Sequence, residues 1–438
     1  KVIIASSLIG KTYITSSPHN LTTSSPHNLI TFFLMKHSFF HPSFITVLLL
    51  SLSLHASAHR ACGAGEACGA EVSRVRASVV CSQFLFDSAP FPSCHAATIE
   101  ALPSGDLLAA FFGGAHEGSN DVCIWLCRKP QGDDSWSAPE RVAQGEVADG
   151  VQHPCWNPVL FRLPGSESEL LLFYKTGIFI KDWVGHLMRS SDGGHTWGKP
   201  EPLGRFLSDE TDLPYLGAIK NKPVAVGGRI IAPSSDESLR WQIHFELSDD
   251  NGLSWNYITV PSSGTIASIQ PSILIHPDGS LQALSRTKNG FLSSTWSHDN
   301  GLSWQPERLT DIPNNNSGID CLTLSSGLFA MVYNPVGKAH EAEFGARTPL
   351  TLALSDDGCH WTDVLDLDHG PGEFSYPAII EAGGALHIVY TWNRQKIRYV
   401  KVLLNPLPGA CDASSQDPLR SHPTPKDASY LKNEQTSS

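Results

Sequence analysis

Arginine, tyrosine and histidine stand at the edges of several apolar stretches of this chain. Arg286 ends "DGSLQALSR", Arg347 lies in "ARTPLTLALSDDG", Tyr376 in "FSYPAII", and His95 begins "HAATIEALPSGDLLAAFF". A guanidinium fork grips a carboxylate through two parallel hydrogen bonds, a geometry lysine cannot match, so the two arginines suit an acidic ligand. A tyrosine becomes a nucleophile once a basic neighbour takes its proton. A histidine, with an ordinary pKa of about 6.5, exchanges protons at mildly acidic to neutral pH. Carboxyl groups available for proton transfer are Glu117 and Asp121 in "GGAHEGSND", beside His116, and Glu373, three residues before Tyr376. Gln270 is an amide and cannot take up a proton. Metal chemistry has little support: Cys123 and Cys127 are four apart, not a C-x-x-C pair, and H-E-x-x-H does not occur. No metal or other cofactor is expected.

These residues are far apart in sequence, so the fold must gather them, and two repeat series indicate how. The first is a turn box: "SSDGGHTW" at 190–197, "SDDNGLSW" at 248–255, "SHDNGLSW" at 297–304 and a shortened "SDDGCHW" at 355–361, with a degenerate unit ending at Trp136. In such a box Asp bonds to backbone beyond it, Gly supplies a positive φ, and Trp packs back over the turn. The second series is six hairpins, each an apolar strand, a Gly-containing turn and a second apolar strand, from "HAATIEALPSGDLLAAFF" to "YPAIIEAGGALHIVYTW". Hairpin, strand, box and strand make four strands per unit, the arithmetic of a β-propeller blade. The chain is therefore expected to be all-β, a six-bladed propeller over residues 79–404, the last blade closing against an N-terminal strand. The innermost strands of a propeller converge on its axis. The hairpin starts, including His95, Asn157, Lys222, Gln270, Asp320 and Tyr376, should then surround one pocket, with Asn157, Lys222 and Asp320 as ligand-binding positions.

The boxes are similar to the Asp-box (BNR) repeats of sialidases, and the chain from about 80 to 404 resembles a sialidase-superfamily propeller. The resemblance implies a substrate carboxylate held by three arginines, a Tyr nucleophile activated by Glu, and an acid on a loop of the first blade. Tyr376 stands where that family places its nucleophile, Arg286 where it has the second arginine and Arg347 where it has the third. The first arginine is replaced by His95. The activating Glu, sixteen residues before the second arginine, is replaced by Gln270. Glu373 is a candidate substitute. Glu117 is preferred to Asp121 as loop acid because it follows the paired glycines Gly113 and Gly114. Three readings follow: an exo-glycosidase acting on an acidic terminal sugar; a lyase on uronic-acid-containing polysaccharide, with His95 or Tyr376 as base; and a carbohydrate-binding propeller without catalysis.

With 31 Lys and Arg against 43 Asp and Glu, the net charge is -12, which gives no general attraction to nucleic acid or anionic membranes. Residues 1–34 contain no Met and read as an unstructured upstream segment. Residues 35–58 read as a secretory signal: Met35-Lys36, an apolar run from Phe44 to Leu54 too short to span a bilayer, and Ala56-Ser57-Ala58 as cleavage pattern. Export, with no membrane anchor after cleavage, is the expectation. Residues 59–78 form a linker and 405–438 a Pro- and Ser-rich disordered tail. Ten cysteines, all beyond the signal, favour some disulfides, and Asn315-Asn316-Ser317 is a glycosylation sequon.

Overall fold

The computed structural model describes residues 71–148, 150–205, 216–238, 241–339 and 341–407. The expected upstream segment, signal and cleavage site, and the tail from 408 onward, lie outside the described residues. Six four-stranded antiparallel sheets form the propeller. Blade 1 comprises Ser93–Ala101, Leu107–Gly114, Cys123–Lys129 and Glu140–Ala143, and blade 2 comprises Cys155–Arg162, Leu170–Thr176, Val184–Ser190 and Glu201–Arg205. Blade 3 runs through Val224–Val226, Arg229–Asp236, Gln242–Ser248 and Asn256–Thr259, and blade 4 through Ser268–Ile275, Leu281–Thr287, Phe291–Ser297 and Arg308–Pro313. Blade 5 has Asp320–Thr323, Phe329–Tyr333, Leu350–Ser355 and Thr362–Asp368. Blade 6 has Phe374–Ala382, Ala385–Trp392 and Lys396–Pro406, and its fourth strand is the N-terminal Val75–Phe84. The expected closure is present, and the strands reach from Val75 to Pro406 rather than from 79 to 404.

Inner strands are wedged between neighbouring blades and are buried on both faces; every residue of Leu107–Gly114 and Leu170–Thr176 is buried. They therefore read as continuous apolar runs rather than alternating ones. Outer strands such as Thr362–Asp368 keep one side toward solvent.

Each complete box closes by local hydrogen bonds. In the first, Ser190 Oγ donates to Asp192 Oδ1 at 2.8 Å and accepts the Gly194 N–H at 2.8 Å, while Asp192 Oδ1 accepts the Thr196 N–H at 2.9 Å. Ser248, Asp250, Gly252 and Ser254 repeat the pattern, as do Ser297, Asp299, Gly301 and Ser303. These donors hold the Asp250 carboxyl down at about 2. The tryptophans do more than cover their own turns, because each packs against the preceding blade. Trp136 meets Tyr399 edge-on, Trp255 meets Phe173 edge-on at 5.7 Å, and Trp304 stacks on Phe245 at 3.8 Å. The preceding blade also grips the box backbone: Arg128 donates to the Gly193 carbonyl, and Arg189 to the carbonyls of Asn251 and Gly252. The boxes thus join blades to one another.

One local expectation is corrected by burial, and the expectation of some disulfides is met at Cys359. Asn315 is fully enclosed and its amide donates to the Ala346 carbonyl at 2.6 Å, so this sequon is not accessible for glycosylation in the folded chain. Cys359 is disulfide-bonded, whereas Cys81, Cys94, Cys123, Cys127, Cys155 and Cys321 are free thiols, five of them buried.

Candidate functional site

The innermost strand of each blade, or in blades 3 and 5 the segment just before it, is bent by one residue in the left-handed region: Ala96, Asn157, Lys220, Gln270, Asn316 and Tyr376, with φ between 41° and 65°. None is glycine, and a residue as large as Tyr is rarely found there. In blades 1, 2, 4 and 6 the pairing with the second strand skips at this point, for example between Ser375 and Ala378. A bulge re-aims side chains where a strand meets a site, and strain of about 1–3 kcal/mol per such residue persists only where surrounding structure enforces it. Asn157 belongs to this ring and is buried.

Arg286 ends the second strand of blade 4 and is 3 % exposed. Its Nη1 donates to the Tyr376 hydroxyl at 2.5 Å and to Gln270 Oε1 at 3.2 Å, and its Nε and Nη2 both donate to Asn316 Oδ1. None of these partners is a carboxylate. Gln270 in turn donates to Glu237 Oε1 at 3.0 Å. Burial pushes the Glu237 carboxyl up, opposed by Arg286. A carboxylate therefore stands behind Gln270 on the neighbouring blade, although not on the tyrosine itself.

Arg347 and Arg394 form the other half of the site. Arg347 Nη1 donates to Glu373 Oε1 at 2.7 Å, and Arg394 Nε bridges both Glu373 oxygens at 3.2 and 3.1 Å. Burial works to raise the Glu373 carboxyl, but Arg347 and then Arg394 outweigh it and hold it below the usual range. Arg394 Nη1 also donates to Glu117 Oε2 across the join between blades 6 and 1. The Arg394 carbonyl accepts the Cys94 N–H at 2.9 Å, which fixes this turn beside the start of blade 1. Aromatic rings separate the cations: the Arg286 guanidinium lies 5.2 Å from the Trp241 ring and 5.6 Å from that of Tyr376, and Arg347 lies 5.6 Å from Tyr376 and 5.6 Å from Phe344. Such packing stiffens planar guanidinium groups without neutralising them.

His95 lies under Tyr376, ring centroids 4.2 Å apart, and is buried with neither ring nitrogen hydrogen-bonded among the described residues. Burial first, then Arg394, Arg347, Arg286 and Lys220, drives its pKa well below the ordinary value. It is a neutral support for the tyrosine ring and does not present a base at the surface. Asp121 accepts the Ala115 N–H through both oxygens, at 3.2 and 3.0 Å, and hydrogen bonding, led by Ser119, lowers its pKa. It closes the neck of the loop as an ionised group, which leaves Glu117 as the loop's acid candidate.

Lys222 and Asp320 do not join the arginines. They pair at 2.6 Å and line a cavity of about 470 Å³ with Glu100, Arg162 and Glu381, toward the far ends of the inner strands. Between the two regions the channel is plugged. Lys220 Nζ donates to the carbonyls of Ile319 and Pro377, and Asn221 Nδ2 donates to those of Gln270 and Pro271, tying blades 4, 5 and 6 to the start of blade 3. Burial pulls Lys220 from 10.5 down to about 7. An unfolded lysine stays protonated across that interval, so the unfolded chain binds more protons and stability rises as pH climbs from 7 toward 10.5. Lys220→Met should remove this term. In urea titrations the wild-type stability should rise more steeply than the variant's, by about 1 kcal/mol per pH unit between about pH 7 and 8. Equal slopes would mean that the amine titrates normally.

Residues 105–388, well over half of the chain, match the family described as BNR repeat-like domain. The chain belongs to the BNR repeat-like family. The BNR propeller is 28% identical to the anhydrosialidase of the leech Macrobdella decora over 138 residues, which is 30% of this chain and only 18% of that relative. Among solved structures it resembles a Dyadobacter fermentans protein of unknown function, at 16% identity and TM-score 0.61, over 75% of this chain and 99% of that one. It also resembles a leech intramolecular trans-sialidase complexed with 2,7-anhydro-Neu5Ac, at 12% identity and TM-score 0.59, over 75% and 70% of the two chains. A third likeness is to the NanB sialidase of Streptococcus pneumoniae, at 12% identity and TM-score 0.57, over 74% and 70%. At these identities the structural likenesses speak for the fold.

The structure brings His95, Gln270, Arg286, Arg347, Tyr376, Glu373 and Glu117 of the BNR propeller into one connected cluster. Sequence reasoning missed Arg394 and Glu237. Arg394 occupies the turn "WNRQK" between two strands, where a surface cation is ordinary, and Glu237 follows a strand in "SSDES". No spacing marks either one. The sole hint was a deficit: a pocket with two arginines and an amide where an arginine triad and a carboxylate were implied.

Proposed function

We propose that the protein is a secreted sialidase-type exo-glycosidase that acts on an acidic terminal sugar. The observation that supports this most is Arg286, a buried guanidinium with no carboxylate among its hydrogen-bond partners in the described residues and touching the Tyr376 hydroxyl, with Arg347 over the same ring. A buried cation without a carboxylate on it favours an incoming anion strongly, because its charge is little screened. In this reading Arg286 and Arg347 bind the sugar carboxylate and hold the anomeric carbon over Tyr376. The phenolic oxygen bonds to that carbon while the bond to the departing oxygen breaks, and Glu117, once it has left Arg394 and taken up a proton from solvent, protonates that oxygen. Arg286 places positive charge where the phenolate forms, and with no carboxylate on the phenol its proton passes to solvent at the half-buried mouth. Water then attacks the same carbon and gives up a proton to Glu117, the carbon–oxygen bond to Tyr376 breaks, and the released phenolate takes a proton back from solvent. The lyase reading has less support, because His95 is covered by the ring of Tyr376.

The test is to incubate the mature chain with sialyl and glucuronyl oligosaccharides and identify products by NMR. A free acidic monosaccharide is expected. An unsaturated, ultraviolet-absorbing product would instead indicate elimination, an anhydro-sugar intramolecular transfer, and unchanged but bound glycan a lectin. Export is supported by the leader-like residues 35–58, and N-terminal sequencing of secreted material would check it.

A further inference from the structure

Behind the mouth lies a buried layer of charge in which one carboxylate faces two cations. Glu237 follows the second strand of blade 3 and is 6 % exposed. Its Oε1 accepts both of its hydrogen bonds, from Gln270 Nε2 at 3.0 Å and Ser235 Oγ at 3.2 Å, whereas Oε2 has no donor among the described residues. At the other end of that amide, Gln270 Oε1 accepts from Arg286 Nη1 at 3.2 Å, so a single amide separates carboxylate from guanidinium. The second cation is Lys175 of blade 2, fully buried with its ammonium on the Ala218 carbonyl. The remaining charged groups of this region are engaged elsewhere: Asp236 accepts the Ser238 N–H and hydroxyl, Glu246 accepts the N–H groups of Leu216 and Gly217 and pairs with His244, and Lys220 holds the plug. An anion enclosed this way, with two neutral donors crowded on one oxygen, is weakly supported. Burial raises the Glu237 carboxyl, and Arg286 is the first group to oppose it.

We propose that Glu237 is a positioning residue for charge: it balances Arg286 across Gln270 while the pocket is empty, and it takes up a proton from solvent when a ligand carboxylate settles on that guanidinium. This rests on the acidic-sugar reading above and adds a link between capture of the ligand and protonation of the site. The proton comes from solvent and forms an O–H bond at Oε2, while Oε1 keeps its bonds to Gln270 and Ser235, so no hydrogen bond is given up. A second anion on Arg286 competes for its charge and raises Glu237 by about one pH unit. A neutral sugar brings no anion and moves no proton. As the Tyr376 phenolate forms, the ligand carboxylate and the phenolate both draw on Arg286, and a protonated Glu237 leaves the guanidinium to those two. The sign follows from the direction of both shifts: Glu237 lies above an ordinary glutamate in the empty site and higher still in the occupied one. Acid affinity is therefore greatest below both values, falls as pH rises between them and is constant above both.

The experiment is calorimetric titration of N-acetylneuraminic acid into wild type, Glu237→Gln and Glu117→Gln between about pH 5 and 6, in two non-carboxylate buffers of different ionisation enthalpy. Lys175 and Lys220, each pulled down to about 7, stay mostly protonated over this range and contribute little. The difference in heat between buffers counts the protons taken up. Wild type should reach about half a proton per ligand at its maximum, and its affinity should weaken up to about tenfold across the full rise. Glu117→Gln should keep the uptake, because Glu117 is the other carboxylate whose charge an incoming anion disturbs. Glu237→Gln keeps the shape and the Gln270 contact, and it should lose both the uptake and the pH dependence. If Glu237→Gln does not fold, difference infrared spectroscopy of Glu117→Gln on adding the acid should show a protonated-carboxyl band replacing a carboxylate band. No uptake by wild type, equal uptake by Glu237→Gln, or no such band overturns the proton link and leaves the proposed function standing. Absence of acid binding by the wild type overturns the proposed function and the link with it.

Discussion

Replacing Arg286 by alanine is expected to lower kcat/KM for an acidic glycoside by about a hundred- to several-thousandfold, because breaking a buried charge contact costs about 3–5 kcal/mol. Arg286 has the deepest burial of the three guanidinium groups and is the one that carries no carboxylate among its hydrogen-bond partners. The methyl ester of the same glycoside should react poorly with the wild type and lose little further with the variant, since it has no anion to hold. Measuring acid and ester with both proteins closes a cycle in which any damage to the fold falls equally on the two substrates. Equal losses would make Arg286 a structural residue that merely fixes Gln270, Asn316 and Tyr376, and the acidic-sugar assignment would go with it. Arg286→Lys should recover only part of the loss, because an ammonium keeps the charge but cannot span Asn316, Gln270 and Tyr376 at once.

The second large effect is expected at Tyr376. Tyr376→Phe removes one oxygen, and if that oxygen forms the covalent bond to the sugar, kcat should fall on the order of a thousandfold or more. Affinity for the free acidic sugar should change by less than about tenfold, since Arg286 keeps Gln270 and Asn316 and the ring still rests on His95. A wild-type enzyme inactivated by a fluorinated acidic sugar should carry the label on Tyr376 by peptide mass spectrometry. Turnover by the Phe variant within tenfold of wild type would remove Tyr376 as nucleophile.

How much of this was legible beforehand follows the range of the interactions. The boxes close within a few residues, Ser190 to Asp192 and Asp192 to Thr196, so their chemistry is written in consecutive letters and recurs visibly. The hairpins are likewise local, and the two series together fixed six blades and the closure by the N-terminal strand. Because blades are equivalent, the hairpin starts had to approach one axis, and that is why His95, Gln270, Arg286, Arg347 and Tyr376 could be grouped from sequence despite their separation.

Blade equivalence says nothing about which end of the axis a side chain faces or what a neighbouring blade contributes. Lys222 and Asp320 belong to hairpin starts like the others, yet the plug at Lys220 and Asn221 separates them from the arginines. Asn315 carries a sequon, yet packing encloses it. Arg394 reaches Glu117 across 277 residues only because the ring closes, and Glu237 reaches Gln270 only because blade 3 leans on blade 4. Sequence by itself determined the repeat, the blade and the short list of reactive groups, since those depend on local hydrogen bonding and hydrophobic pattern. The third arginine and the carboxylate behind Gln270 were decided by tertiary structure alone, because charge in a buried site is balanced by whatever side chain the closed ring brings within reach.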